Sequence, residues 1–301
     1  MFKRIILGVY TLLLCFTLKA QDYTWWNETH NWDGHTPWTN YITTNTAHMG
    51  PNALPVPEVN QGTTRKKTEL KVGTDLHFSP GDKTQNPNTS LYLPLYTPKV
   101  GLQLQIVPIE FYQTDTITRD FRAARNRSGK GYAVGDFYIS TFVQVVENHK
   151  TLPDIMLSIN LKTASGNKFS DARFTDAPAY YMDLSFGKNY TLNASKNITL
   201  RPYLMGGFYV WQMRGFTQPQ NDALLYGLGA KLATDHFTLF SSLAGYHGYL
   251  KNGDSPLVFR ASFRTNFKGR INYSFRYQKG IKDFPFNTFS LNLIAKFKAP
   301  H

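Results

Sequence analysis

Arg260, Arg264 and Arg276 stand in two neighbouring stretches of the chain where side chains of opposite character take turns. Leu257, Phe259, Ala261 and Phe263 interleave with Val258, Arg260, Ser262 and Arg264, and Ile271, Tyr273, Phe275 and Tyr277 with Asn272, Ser274, Arg276 and Gln278. A period of two sends successive side chains to opposite faces of a β-strand. The guanidinium groups therefore share one face and form a basic ladder that would attract anions and exclude cations. Asp136, Lys162, Asp183 and Arg201 sit on the polar face of similar stretches, and Lys71, Asp75, His77, Gln103, Gln105, Lys231 and Lys296 extend that face. The same charges would equally brace a narrow interior, the arginines pairing with Asp136, Asp183 and Glu69.

Other chemically equipped residues form looser patterns. Trp25, Trp26, Trp32 and Trp38 crowd into residues 23–41, with Glu28, His30 and Asp33 among them. Their rings would stack on sugars or planar solutes; alternatively they fill volume in a plug or form a membrane-interface belt. His30, His35 and His48 match no metal-ligand spacing. Ser241, Ser242 and His247 invite a lipid-hydrolase reading, but there is no Gly-x-Ser-x-Gly, and Ser242 and His247 are an odd number apart and face opposite sides of a regular strand. No catalytic residue, metal site or cofactor is assigned. The single cysteine, Cys15, falls in the first twenty residues, which leaves the rest without disulfide or thiolate chemistry.

The elements that must position the charges come from the whole pattern. Met1-Phe2-Lys3-Arg4, an apolar run to Leu18 and Ala20 have the three parts of a secretory signal peptide, with cleavage after Ala20. Residues 21–65 are Trp- and Pro-rich, show no helix or strand period, and read as a plug or an extension into the periplasm. From residue 66 to 301 the alternating pattern recurs in twelve segments, near 67–78, 89–97, 100–112, 133–146, 153–163, 179–190, 198–211, 223–234, 237–249, 256–266, 270–279 and 287–298. Connections alternate between short, as at Thr97-Pro98-Lys99 and Thr234-Asp235-His236, and long and polar, as at 79–88, 113–132 and 164–178. A transmembrane antiparallel up-and-down β-barrel of about twelve strands has this signature, and an even count brings both termini to the periplasmic side. A soluble β-sandwich also alternates, with its apolar faces inward, but its strands are nearer five or six residues long. The net charge of +13 comes without a nucleic-acid motif or a concentrated basic run.

Gly135-Asp136-Phe137-Tyr138-Ile139-Ser140, followed by Pro153-Asp154-Ile155-Met156-Leu157-Ser158 and Lys162-Thr163-Ala164-Ser165-Gly166, resembles a strand pair of the outer-membrane barrels associated with phenol meta-cleavage pathways. The family tends to have Pro-Thr where Ala164-Ser165 stand here. The resemblance covers about thirty residues and implies passage of small, aromatic solutes, with Asp136 facing the lumen. The expectation is an outer-membrane channel for small anionic or aromatic solutes, in contact with outer-membrane lipid and lipopolysaccharide. The alternatives are a structural or assembly barrel without an open pore, and a lipid-modifying enzyme.

Overall fold

The computed structural model describes residues 22–214 and 218–298, so the signal-peptide reading of residues 1–20 lies outside the described residues. The chain divides into two units, Met1–Thr36 and Pro37–His301. In the first, α1 (Thr24–Thr29) carries Trp25 and Trp26, a helical turn where no period was expected. Asp33 ties down the following turn by accepting from the amides of His35 and Thr36, and the Trp32 indole donates to the Thr36 carbonyl at 2.7 Å.

The second unit is a closed barrel. Its wall strands are β1 (Thr68–Ser79), β2 (Asp82–Leu95), β3 (Thr97–Ile106), β6 (Phe137–Val146), β7 (Asp154–Lys162), β8 (Ala179–Gly187), β10 (Ile198–Gln212), β11 (Gln220–Ala233), β12 (Phe237–Gly248), β13 (Leu257–Thr265), β14 (Ile271–Lys282) and β15 (Asn287–Phe297). Each pairs antiparallel with its neighbours, and β1 closes the ring by pairing both β15 (Lys71 opposite Ile294) and β2 (Lys71 opposite Ser90). Twelve strands were expected and twelve form the wall. Among the described residues no helix is long and apolar enough to cross a membrane.

The two faces decide between barrel and sandwich. Outward side chains such as Val72, Leu204, Phe208, Leu228, Phe275 and Leu291 are 43–60 % exposed, whereas inward Asp75, Asp183, Arg201 and Arg260 are 2–7 % exposed. A soluble sandwich would bury the first set and expose the second; lipid around a barrel inverts the order.

Two expectations need correction. Residues 79–88 are not a long loop: Pro80 and Gly81 (φ +73°) make a tight turn, and β2 starts seven residues earlier than its pattern suggested. Asp82–Asn88 is polar on both faces, so the alternation that marks a lipid-facing strand is lost there. The segment near 100–112 is two strands, β3 and β4 (Glu110–Thr114), interrupted at Pro108; β4 pairs with β5 (Lys130–Ala133) and, with α2 (Thr116–Phe121), builds a cap from the 113–132 connection. Between β8 and β10 the chain adds a short strand, β9 (Tyr190–Asn193), which folds back on β10. Connections at the end where β1 starts and β15 finishes are otherwise short, and those at the opposite, loop end include the cap.

Candidate functional site in the barrel lumen

Residues 37–65 run through the barrel, held by hydrogen bonds to the wall strands and their loops. At the loop end the Trp211 indole donates to the Thr44 carbonyl (3.3 Å), Asn45 Nδ2 to the Asn252 carbonyl (2.6 Å), and the Gly50 amide to the Ala172 carbonyl (2.8 Å). Midway, Leu54, Val56 and Val59 are buried with Tyr203, Met205, Tyr209, Leu225, Tyr246 and Phe286. Farther on, the Arg260 guanidinium donates to the Val56 and Pro57 carbonyls at 2.6 and 2.9 Å, and Gln144 Nε2 to the Gly62 carbonyl at 2.8 Å. The Arg65 amide reaches the Tyr92 hydroxyl at 3.1 Å, just before β1 begins. Irregular backbone at membrane depth survives only where protein or water takes up its polar groups. Glycines allow the close fit: a Cβ on Gly227 of the wall would lie 2.6 Å from Val59 Cγ2, and one on Gly62 of the segment (φ +75°) 2.6 Å from the Asp154 carbonyl oxygen.

Of the seven charges expected to line a pore, Asp136, Arg260, Arg264 and Arg276 line a cavity in the lumen, whereas Lys162, Asp183 and Arg201 are buried outside its lining, and only part of the expected pairing forms. Arg264 does reach Glu69, at 2.7 Å. Asp136 pairs with Lys162 instead of an arginine (2.7 Å), and the ammonium also donates to Thr175 Oγ1 and the Ala177 carbonyl. Asp183 has no cation within ion-pair distance among the described residues; it accepts from Ser158 and from Asn60 Nδ2 (3.0 Å). Arg201 holds Asp154 at 2.8 Å and the Gln61 carbonyl at 3.0 Å. Arg260 and Arg276 both turn to Glu58, the single carboxylate between Pro37 and Arg65. A lone acid in a long apolar and polar segment was the available signal for Glu58, and period-based reading passes over it.

A second missed cluster is buried at the loop end. Arg173 is fully buried and sits 2.8 Å from both Asp82 and Glu110, while Arg122 also pairs with Asp82 and Asn52 Nδ2 donates to Glu110 at 2.7 Å. Burial alone would lower the Arg173 pKa, but Glu110 and Asp82 outweigh it and hold the group above its ordinary value. Nearby, burial and then Arg122 hold His48 below the usual histidine value, against Asp283, and its Nδ1 lies 2.8 Å from Asn45 Oδ1.

Between this cluster and the opposite end lies a cavity of about 790 Å³. Nine basic residues line it against four carboxylates, Glu58, Glu69, Asp75 and Asp136. Lys71, Lys231 and Lys296 line it without an ion pair: among the described residues no carboxylate lies within 4 Å of their ammonium groups. The hydroxyl of Tyr138, also on the cavity wall, is buried without a hydrogen-bond partner.

The remaining candidates do not converge on this site. Of the four tryptophans only Trp38 belongs to the barrel unit, with Arg125 4.9 Å over its ring; Trp25, Trp26 and Trp32 belong to the first unit. Among the described residues no three His, Cys, Asp or Glu side chains gather to hold a metal ion. The His247 ring faces outward, and its Nδ1 lies 3.0 Å from Ser255 Oγ rather than near Ser242; no hydrogen bond joins that ring to a carboxylate among the described residues.

No protein-family model and no curated protein matches this chain. Among solved structures, an outer membrane channel from Pseudomonas putida F1 aligns over 82 % of this chain and 97 % of that one, with a TM-score of 0.54 at 13 % identity. The KdgM porin covers 75 % of this chain and 99 % of its own, at 10 % identity and a TM-score of 0.44. The β domain of the Bordetella autotransporter BrkA covers 77 % and 99 %, at 9 % identity and 0.47. At these identities the likeness is one of fold, and the fold is that of an outer-membrane β-barrel.

Proposed function

We propose that this barrel resides in a Gram-negative outer membrane and passes small anionic solutes, with residues 37–65 as the internal constriction. The observation that carries the reading is the basic excess of the cavity, nine basic residues against four carboxylates, with Lys71, Lys231 and Lys296 outside any ion pair among the described residues. Fixed charge in a narrow lumen selects by attracting one sign of ion and repelling the other. The apolar outer wall meets outer-membrane lipid and lipopolysaccharide, and the short-turn end faces the periplasm in this reading. The solved channel of similar fold supports the class, and the strand pair resembling meta-cleavage barrels supports small, aromatic solutes as the cargo.

A closed, structural barrel is the second reading, favoured by the buried Asp82–Arg173–Glu110 cluster at the loop end. Single-channel conductance of the refolded protein, with and without residues 21–65, separates the two. Anion-selective steps that enlarge on deletion support the plugged channel. Silence from both forms, with folding established by heat-modifiable gel mobility, rejects it in favour of the closed barrel. The hydrolase reading lacks a base positioned on a serine by a third group.

A further inference from the structure

Glu58 differs from the other three carboxylates that line the cavity. It belongs to the threaded segment and not to the wall, and its side chain is 61 % exposed although the barrel surrounds it. That exposed surface faces the cavity it helps to line. Its carboxylate meets two guanidinium groups on adjacent strands: Arg260 on β13, at 3.7 Å, and Arg276 on β14, by a hydrogen bond. The register places Arg260 opposite Gln278 and Arg276 opposite Ser262, so the two arginines are diagonal neighbours on the inner face. Arg276 supplies the hydrogen bond, while Arg260, whose Nε donates to Gln278 Oε1 at 2.7 Å, adds its positive charge alongside, and two cationic guanidinium groups at one point favour an anionic oxygen there.

The segment does not depend on that carboxylate for its seat. Arg260 grips it through the Val56 and Pro57 carbonyls, Arg201 through the Gln61 carbonyl, Gln144 through Gly62, and Asn60 reaches Asp183. Glu58 can therefore leave the arginines by side-chain rotation while the backbone stays in place.

We infer that Arg260 and Arg276 form a binding site for the carboxylate of a small solute, and that Glu58 occupies it as a tethered stand-in. The inference rests on the reading of the lumen as an anion path and names the chemical group and place where that path holds its cargo. A solute carboxylate competes with Glu58, whose attachment to the same chain gives it an effective concentration on the order of millimolar. The native protein thus takes up carboxylates more weakly than its arginine pair would allow, and only at high solute concentration.

Propionate is the free equivalent of the glutamate side chain and serves as the probe. It is titrated by calorimetry into the full-length folded protein in detergent micelles, where binding is read without any requirement for conduction. Glu58→Ala is expected to bind propionate roughly ten-fold or more tightly than the native protein, since the tethered competitor is gone. Adding Arg276→Gln to Glu58→Ala is expected to abolish that gain. Equal affinity for the native and Glu58→Ala proteins overturns the inference, as does a gain that survives Arg276→Gln. If Glu58→Ala does not fold by heat-modifiable mobility, Glu58→Gln keeps the shape of the side chain and is judged by the same two criteria. Failure of the channel reading appears separately, as absent conductance, and leaves the titration result standing.

Discussion

Replacing Arg173 by methionine tests whether the loop end is held shut by charge. Its guanidinium and both carboxylates, Asp82 and Glu110, are 0 % exposed, and the two contacts are 2.8 Å long. Removing one partner of a buried ion pair costs about 3–5 kcal/mol because the other charge stays buried and uncompensated. Asp82 keeps Arg122 after the change, whereas Glu110 keeps only the Asn52 amide. The lower end of the range, about 3 kcal/mol, is therefore expected, and at 1.36 kcal/mol per decade that is roughly a hundred-fold more frequent opening. The loss should stay local, because the wall ladder does not pass through Arg173. Hydrogen exchange by mass spectrometry reads it directly. Peptides covering 169–173, and the Gly50 amide bonded to the Ala172 carbonyl, should exchange about a hundred-fold faster while β10 and β11 are unchanged. Adding Glu110→Gln should restore most of the protection. Unaltered exchange around Ala172 in Arg173→Met would refute the seal.

Three further outcomes follow from the same physics. Converting Lys71, Lys231 and Lys296 together to glutamine should leave folding intact, since none is held in an ion pair, and should move the reversal potential in a salt gradient toward cation permeation; an unmoved potential contradicts the proposed basis of selectivity. Asp136→Asn strands the buried Lys162 ammonium and should cost about 3 kcal/mol, seen as a lower midpoint of heat-modified gel mobility, with Lys162→Met in the same chain recovering much of it. Asp115 caps α2 by accepting from the Thr118 amide (2.7 Å), and that backbone bond, followed by the Thr118 side chain, holds its carboxyl below 3.8. Its stabilisation of the turn is thus complete above that ordinary value and fades as pH falls through the lower folded one; Thr118 amide exchange should show the loss, and Asp115→Ala should mimic it at a cost of about 1 kcal/mol.

The sequence alone determined the strand count and the closure into an even-numbered barrel. Lipid outside and polar contents inside impose one period on every strand that crosses the bilayer, and that period is local, written residue by residue into stretches such as 257–265 and 271–278. Where lipid contact ends the record ends too: Asp82–Asn88 continues β2 with polar residues on both faces and reads as loop. Only the tertiary structure decided which charge meets which. Arg276 finds Glu58, Arg264 finds Glu69 and Arg173 finds Glu110 across long separations in sequence, and Asp183 finds no cation. Those partners depend on the register of a closed ring and on the path of residues 37–65 through it. Both are set by contacts between distant segments, and an irregular chain whose hydrogen bonds go to wall side chains carries no period from which its path could be read.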